Sequence, residues 1–373
     1  MKKVIYFILT LMFLLPVSSM GQQKGTSRNR LISWTQSEDG TLTFVGSGIL
    51  DGREFSGFSD DFKGYNNRII ISSGITEVRY LHDMCQVENV SLPNSLKKIG
   101  EFAFRGYAEL KSITIPASVT EIAPTAFDMG EWRGGKLEKI IVDNNNTQFK
   151  SIDGILYDHD VRTLICCPSG YNGEVNIPNS VEVIGERAFF CCTELKSIKL
   201  PENLKVIKEA AFIGASIRSI NIPQSVHFIG LYALRGSDEG QLEKITVDEN
   251  NTCYKSIDGI LYNKEVKTLI CCPSCYEGEV NVPNSVVAIE TAAFFSCCKL
   301  TNIKLPDYLK FIKDAAFMKS NITSINIPKS VSYIGKDVFR ECEVLDRIYI
   351  GNKSLNVRNV IPENATISDV PIE

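Results

Sequence analysis

Cysteine dominates the residues of this sequence that could do chemistry. The chain holds twelve cysteines among 373 residues, and Cys272-Pro273-Ser274-Cys275 has the C-x-x-C spacing of thiol-disulfide oxidoreductases. That reaction needs a thiolate at the first cysteine, which a helix N-terminus normally stabilises. Here a β-hairpin pattern precedes the motif and another strand follows it. Its duplicate, Cys167-Pro168-Ser169-Gly170, lacks the second thiol. Oxidoreductase chemistry at Cys272 and Cys275 therefore stands only as the enzymatic alternative, and no catalytic residue is expected. A zinc site would need a second C-x-x-C or paired histidines, so no metal or cofactor is expected. The three histidines are His82, His159 and His227. His159 sits in Asp158-His159-Asp160, but the duplicate of that turn is Asn263-Lys264-Glu265, which fits a solvated turn. His227 falls at an outward position. The segments Asp143–Asn146 and Asp248–Asn251 have calcium-ligand chemistry without the spacing of a known calcium loop, and strand-to-loop turns account for them.

The elements that position these residues are repeats. From Pro93, apolar residues fall at Leu96, Ile99, Ala103, Phe104, Leu110, Ile113 and Ile115, and Pro116 opens the next unit 23 residues on. The same offsets recur from Pro178 and from Pro283. Units of 22 residues begin at Pro201 and Pro306, and a last unit runs from Pro328 to Ile350. A longer repeat overlies these: VDNNNTQFKSIDGILY at 142–157 returns as VDENNTCYKSIDGILY at 247–262, an offset of 105. A period of this length marks a solenoid.

Within each unit, L-x-x-I-x-I-P alternates apolar and polar residues, which predicts one strand ended by proline. The remainder, S-V-x-x-I-G-x-x-A-F, spaces apolar residues three to four apart, which suits a turn or a short helical return. The expectation is an α/β-type repeat solenoid: a right-handed coil stack with one short strand per coil, forming a curved parallel sheet. One coil cannot offset the entropy of ordering its own chain, so coils must share their faces. Segments Ser151–Cys166 and Ser256–Cys271 read as β-hairpin coils inserted into the stack, with turns at Asp153-Gly154 and Asp258-Gly259.

On this frame Cys192, Cys297 and Cys342 fall in an interior slot, occupied by Tyr107 in an earlier coil, and read as small buried hydrophobes. Cys166 and Cys167 lie about one coil before Cys191 and Cys192, and Cys271 and Cys272 about one coil before Cys297 and Cys298. These eight are candidates for bridges between adjacent coils.

The N-terminus reads as a secretory signal peptide over residues 1–21. Lys2 and Lys3 precede an apolar run from Val4 to Leu15, and Ser19 and Gly21 supply small side chains before cleavage at Gln22. The run is too short to span a membrane, and no cysteine there marks a lipid anchor. Without Lys2 and Lys3, 38 basic residues face 44 acidic ones. Charges are interspersed, so no nucleic-acid or anionic-lipid partner is expected. Residues 22–68 read as an N-terminal β cap with strands at Leu31–Trp34 and Thr41–Phe44, residues 69–351 as the solenoid, and residues 352–373 as a C-terminal tail or cap.

The units IPASVTEIAPTAF, IPNSVEVIGERAF and IPKSVSYIGKDVF resemble the BspA-type leucine-rich repeat. The opening WTQSEDGTLTFVGSG and the hairpin segments SIDGILY and LICCPSGY resemble other parts of that family. The likeness runs from about Leu31 to Gly351. It departs at Cys166-Cys167 and Cys271-Cys272, where the family more usually carries an aromatic before the proline. The resemblance implies an exported or surface-displayed protein, with the periplasm as the alternative location, and it carries no catalytic or metal residues. It implies adhesion to host or microbial surface proteins, extracellular matrix or glycans. The expected contact surface is the concave sheet face, where the outward residue of each L-x-x-I-x-I forms the ladder Ser91, Thr114, Ile141, Lys199, Asn221, Thr246, Lys304, Asn326 and Tyr349. A spacer solenoid without a ligand is the rival reading.

Overall fold

A computed structural model describes residues 23–55, 66–128, 135–235, 241–357 and 360–372. The signal-peptide expectation for residues 1–21 lies outside them. The chain winds as a β-solenoid with two strand stacks and a turn side. The first stack holds the L-x-x-I-x-I strands, paired parallel and in register, as in Lys139–Val142 on Ser112–Ile115 and Arg347–Ile350 on Ser324–Ile327. The second stack is built from shorter strands around the repeat's Ile-Gly, such as Val183–Ile184, Val206–Ile207 and Phe228–Ile229. Alternation explains both: in Ser112–Ile115, Ile113 and Ile115 are buried while Ser112 and Thr114 are exposed.

The α/β label is not supported. Among the described residues the regular helix amounts to one three-residue 3-10 turn, Gly52–Glu54. Where a helical return was an option, the chain makes a turn whose residue before the repeat's Ala takes positive φ. Phe102, Arg187, Ala210, Ala292, Ala315 and Asp337 all adopt this left-handed conformation, with φ between 50° and 56°. Amides there point along the solenoid axis instead of back into their own turn. Phe189 N donates to Ala211 O at 2.8 Å, Phe294 N to Ala316 O at 2.7 Å and Phe317 N to Val338 O at 2.9 Å. The next coil satisfies the donors that a helix would satisfy locally, and this offsets the strain of the non-glycine left-handed residues. The same register stacks the Phe rings: Phe189 on Phe212 at 4.9 Å, and Phe317 between Phe294 at 5.0 Å and Phe339 at 5.7 Å.

Each hairpin coil is an antiparallel trio, Phe149–Ile152, Ile155–Asp158 and Thr163–Cys166, repeated at Tyr254–Ile257, Ile260–Asn263 and Thr268–Cys271. Both central residues of each Asp-Gly turn have positive φ, 51° and 84°, the hairpin pattern of a type I′ turn. The middle strand is a septum. Leu156 packs into the preceding core while its neighbours Ile155 and Tyr157 pack into the following one, and Leu261, Ile260 and Tyr262 repeat this. A strand buried on both faces reads as an unbroken apolar run, which is why Ile-Leu-Tyr stands there.

At the N-terminal end Gln23–Thr26, Ile32–Gln36 and Thr41–Gly46 form an antiparallel meander, and Thr41–Gly46 pairs parallel with Arg68–Ile71. At the other end Thr366–Ser368 pairs with Arg347–Ile350.

Candidate functional site

The interior slot holds what its spacing predicted: Cys192 and Cys297 are fully buried, and Cys342 and Tyr107 nearly so. The Cys192 thiol hydrogen-bonds with Cys167 and lies 3.6 Å from both the Cys167 and Pro168 carbonyl oxygens. The Cys272 thiol bonds with Cys297 in the same way. Of the eight bridge candidates, the structure thus brings together Cys167 with Cys192 and Cys272 with Cys297. Cys271 turns toward the preceding coil, its sulfur 3.7 Å from Leu234 O. Cys166 is directed at its own neighbour's carbonyl, and Cys191 occupies a left-handed turn position with φ of 53°. All twelve cysteines are in the thiol form, none joined in a disulfide.

This geometry separates the two residues of the C-x-x-C. Cys272 is buried and its thiol is pushed well above the ordinary range, by burial first and then by the hydrogen bond with Cys297. Cys275 instead meets Cys298, on the next coil. A catalytic, cycling dithiol draws on a lowered thiol pKa and access to both sulfurs, whereas burial raises both thiols of this motif and the coil register divides the pair between core and surface.

The asparagine segments are structural. The Asn146 amide donates to Pro116 O and Val119 O at 2.9 and 3.0 Å, and its oxygen accepts from the Gln148 and Phe149 amides at 2.8 Å. Asn251 makes the equivalent four bonds. One buried side chain thereby closes two coils. His159 is exposed on its turn and His227 is exposed beside Phe228. Among the described residues no group of three or more His, Cys, Asp or Glu is placed to hold a metal ion.

The predicted ladder lies on the outer side of the first stack, and Ser91, Thr114, Ile141, Lys199, Asn221 and Lys304 are exposed. It is not one continuous row. At each hairpin coil the strand hydrogen-bonds to the Asp-Gly turn, Ile140 N to Gly154 O and Ile245 N to Gly259 O, instead of to the next coil's strand. Glycine suits position 154 chiefly by its left-handed φ of 84°, and a Cβ there would also press on Lys139 at 3.2 Å from its Cα. Part of the ladder is also occupied by the chain itself. Asn221 accepts from Thr246 Oγ1 at 2.9 Å, and the Asn326 amide makes two bonds to the Ile372 backbone, so the tail crosses this face. Tyr349 is partly covered beside the terminal strand.

Two rungs escaped the sequence reading. Asn176 pairs with Lys199 and Asn281 with Lys304. Their strands read Gly-Glu-Val-Asn and lack the leading leucine of the repeat, but the proline two residues later would have revealed them. Also missed were Phe228, Phe311 and Tyr333, which stand exposed on the second stack, Phe311 directly beside Tyr333. Their signal is an aromatic immediately before the repeat's isoleucine. A concavity of the strand face, about 580 Å³, is lined by Arg68, Asn89, Ser91, Asn94, Thr114 and Asp143, so two predicted ladder residues meet in it.

Two strand stacks closed by a turn ladder, coil upon coil, define a leucine-rich-repeat solenoid of the all-β kind. The chain belongs to the BspA type leucine rich repeat family, whose repeat model matches residues 66–153, 169–277 and 270–373. Its fold is similar to solved structures of bacterial proteins. A leucine rich cell surface protein from Faecalibacterium prausnitzii is 23% identical, with 93% of this chain and 95% of that one covered and a TM-score of 0.45. The pneumococcal vaccine antigen PcpA is 18% identical, with 92% and 93% covered and a TM-score of 0.46. A leucine-rich repeat protein from Eubacterium ventriosum is 20% identical, with 89% and 73% covered and a TM-score of 0.42. No curated protein matches the chain.

Proposed function

We propose that this chain is an extracellular or cell-surface binding module that engages host or microbial surface proteins, matrix or glycans through its first strand face, and that adhesion is its role. The observation carrying this reading is the concavity over the N-terminal coils. Arg68, Asn89, Ser91, Asn94, Thr114 and Asp143 present both charges, amides and hydroxyls around one hollow. Such a lining supplies donors and acceptors to a polar chain, and the ladder beneath fixes them before contact, so little ordering entropy opposes binding. Asn176, Lys199, Asn281 and Lys304 extend the polar surface along later coils.

The test is a binding screen of the full chain against matrix proteins and a glycan array, repeated with Arg68→Glu/Thr114→Lys and with Lys199→Glu/Lys304→Glu. Loss of a saturable signal in the first variant, with an unchanged circular dichroism spectrum, supports the reading, and the second variant measures how far the contact extends. The spacer reading draws on the rungs that the chain satisfies by itself, Asn221 with Thr246 and Asn326 with Ile372. It gains if no partner binds and both variants behave as the parent does.

A further inference from the structure

The second copy of the duplicated block carries a thiol pair that the first lacks. Cys275 and Cys298 stand where Gly170 and Thr193 stand 105 residues earlier. They belong to adjacent coils held in fixed register: Cys298 N donates to Ser274 O at 3.3 Å, and Cys275 N donates to Leu242 O at 2.9 Å. The two thiols are in hydrogen-bonding contact. Cys298 is exposed and Cys275 half-buried, in contrast to the sealed Cys272–Cys297 pair below them.

We propose that Cys275 and Cys298 are an oxidation site, closed to an inter-coil disulfide by exchange with a small-molecule or protein disulfide. Cys298, the exposed partner, loses its proton and attacks the oxidant's disulfide, giving a mixed disulfide and one released thiol. Cys275 then gives up its proton and attacks the Cys298 sulfur, forming the Cys275–Cys298 bond and releasing the second thiol. Two protein thiols are oxidised by two electrons and one external disulfide is reduced to two thiols. Access selects this pair, because the oxidant must reach the first sulfur in line, and the buried pair offers no such approach. The bond would staple the segment between the two cysteines, which contains Gly278–Asn281, Ala288–Ile289 and the turn that seats Phe294. It requires no binding partner and stands apart from the proposed function.

The experiment exposes the folded, reduced full chain to oxidised glutathione, blocks remaining thiols with N-ethylmaleimide without denaturant, and maps the peptides released by a glutamate-specific protease, which cuts at Glu277, Glu279 and Glu290 between the two cysteines, by tandem mass spectrometry. The expected product links the Cys275 and Cys298 peptides with loss of two hydrogens. It should raise the melting temperature by roughly 5 °C, a gain reversed by reductant and missing from Cys298→Ser. Circular dichroism of reduced Cys298→Ser checks that the variant folds. Maleimide on both residues, glutathione persisting on Cys298, or a link confined to Cys272 and Cys297 overturns the assignment.

Discussion

The junctions ahead of the two hairpin coils are built on one backbone plan and filled differently. At the first, Arg187 reaches Asp128 at 2.5 Å, the carboxylate only 5% exposed, while the guanidinium lies 3.7 Å over the Phe190 ring. At the second, Ala292 takes the place of Arg187 and Arg235 the place of Asp128. Arg235 now lies 3.2 Å over Phe295, the counterpart of Phe190. A cation covers the aromatic ring in both copies, supplied from opposite sides of the junction. The second junction holds a cavity of about 300 Å³ lined by Ile229, Leu231, Tyr254, Ile270 and Ala292 among others. The hydrogen-bond register, which sets the solenoid's pitch, is the same in both copies, and the ring stack that begins at Phe189 and at Phe294 follows it, ending at Phe212 in the first and extending to Phe339 in the second. Side chains at the seam, which pitch does not constrain, diverged.

The largest effect that would test this division is in the ring stack. Phe317→Ala removes a ring packed on both sides and should cost about 4 kcal/mol, against about 3 kcal/mol for Phe189→Ala, which stacks on Phe212 alone. Urea unfolding followed by circular dichroism gives the ranking, and a reversed order would mean that stacking neighbours do not set the cost. Next are the seams. Arg187→Ala breaks an ion pair to a carboxylate only 5% exposed and should cost about 3 kcal/mol, whereas Arg235→Ala removes its contact over the Phe295 ring and should cost less. Equal losses would erase the contrast between the two junctions. Asn146→Ala and Asn251→Ala sharpen it from the other side. Each removes the same four bonds to backbone, so both should cost about 2 kcal/mol and agree with each other within experimental error.

The conserved half of this comparison was legible in the sequence and the divergent half was not. Proline-to-proline period, strand alternation, the Asp-Gly hairpins and the interior cysteine slot each depend on residues near one another in the chain. The turn side was ambiguous because apolar residues three to four apart serve a helix and a left-handed turn equally well. What decides between them is the amide acceptor, here more than twenty residues away, as with Phe189 N and Ala211 O. The pairing of Arg187 with Asp128 spans 59 residues and that of Asn326 with Ile372 spans 46. Neither leaves a periodic trace. Cys275 was read with Cys272 because they are close in sequence, while the coil register places it against Cys298.

A pH-dependent effect should be the same in both copies and concerns buried thiols. Burial pushes the Cys271 thiol up to about 12 and raises that of its counterpart Cys166. An unfolded cysteine ionises near pH 8.5. Above that pH the unfolded chain releases protons that the native chain retains, so the native state binds more protons and stability falls as pH rises. The loss runs from about pH 8.5 up to the folded-state value, and each thiol contributes about 1.4 kcal/mol by pH 9.5. Urea midpoints at pH 7.5 and 9.5, taken under reductant, should therefore fall less in Cys271→Ala and in Cys166→Ala than in the parent, by equal amounts. A reduced loss in one variant alone would show that the two hairpin coils bury their sulfurs unequally, and the duplication would then differ inside the hairpin coils as well as at their seams.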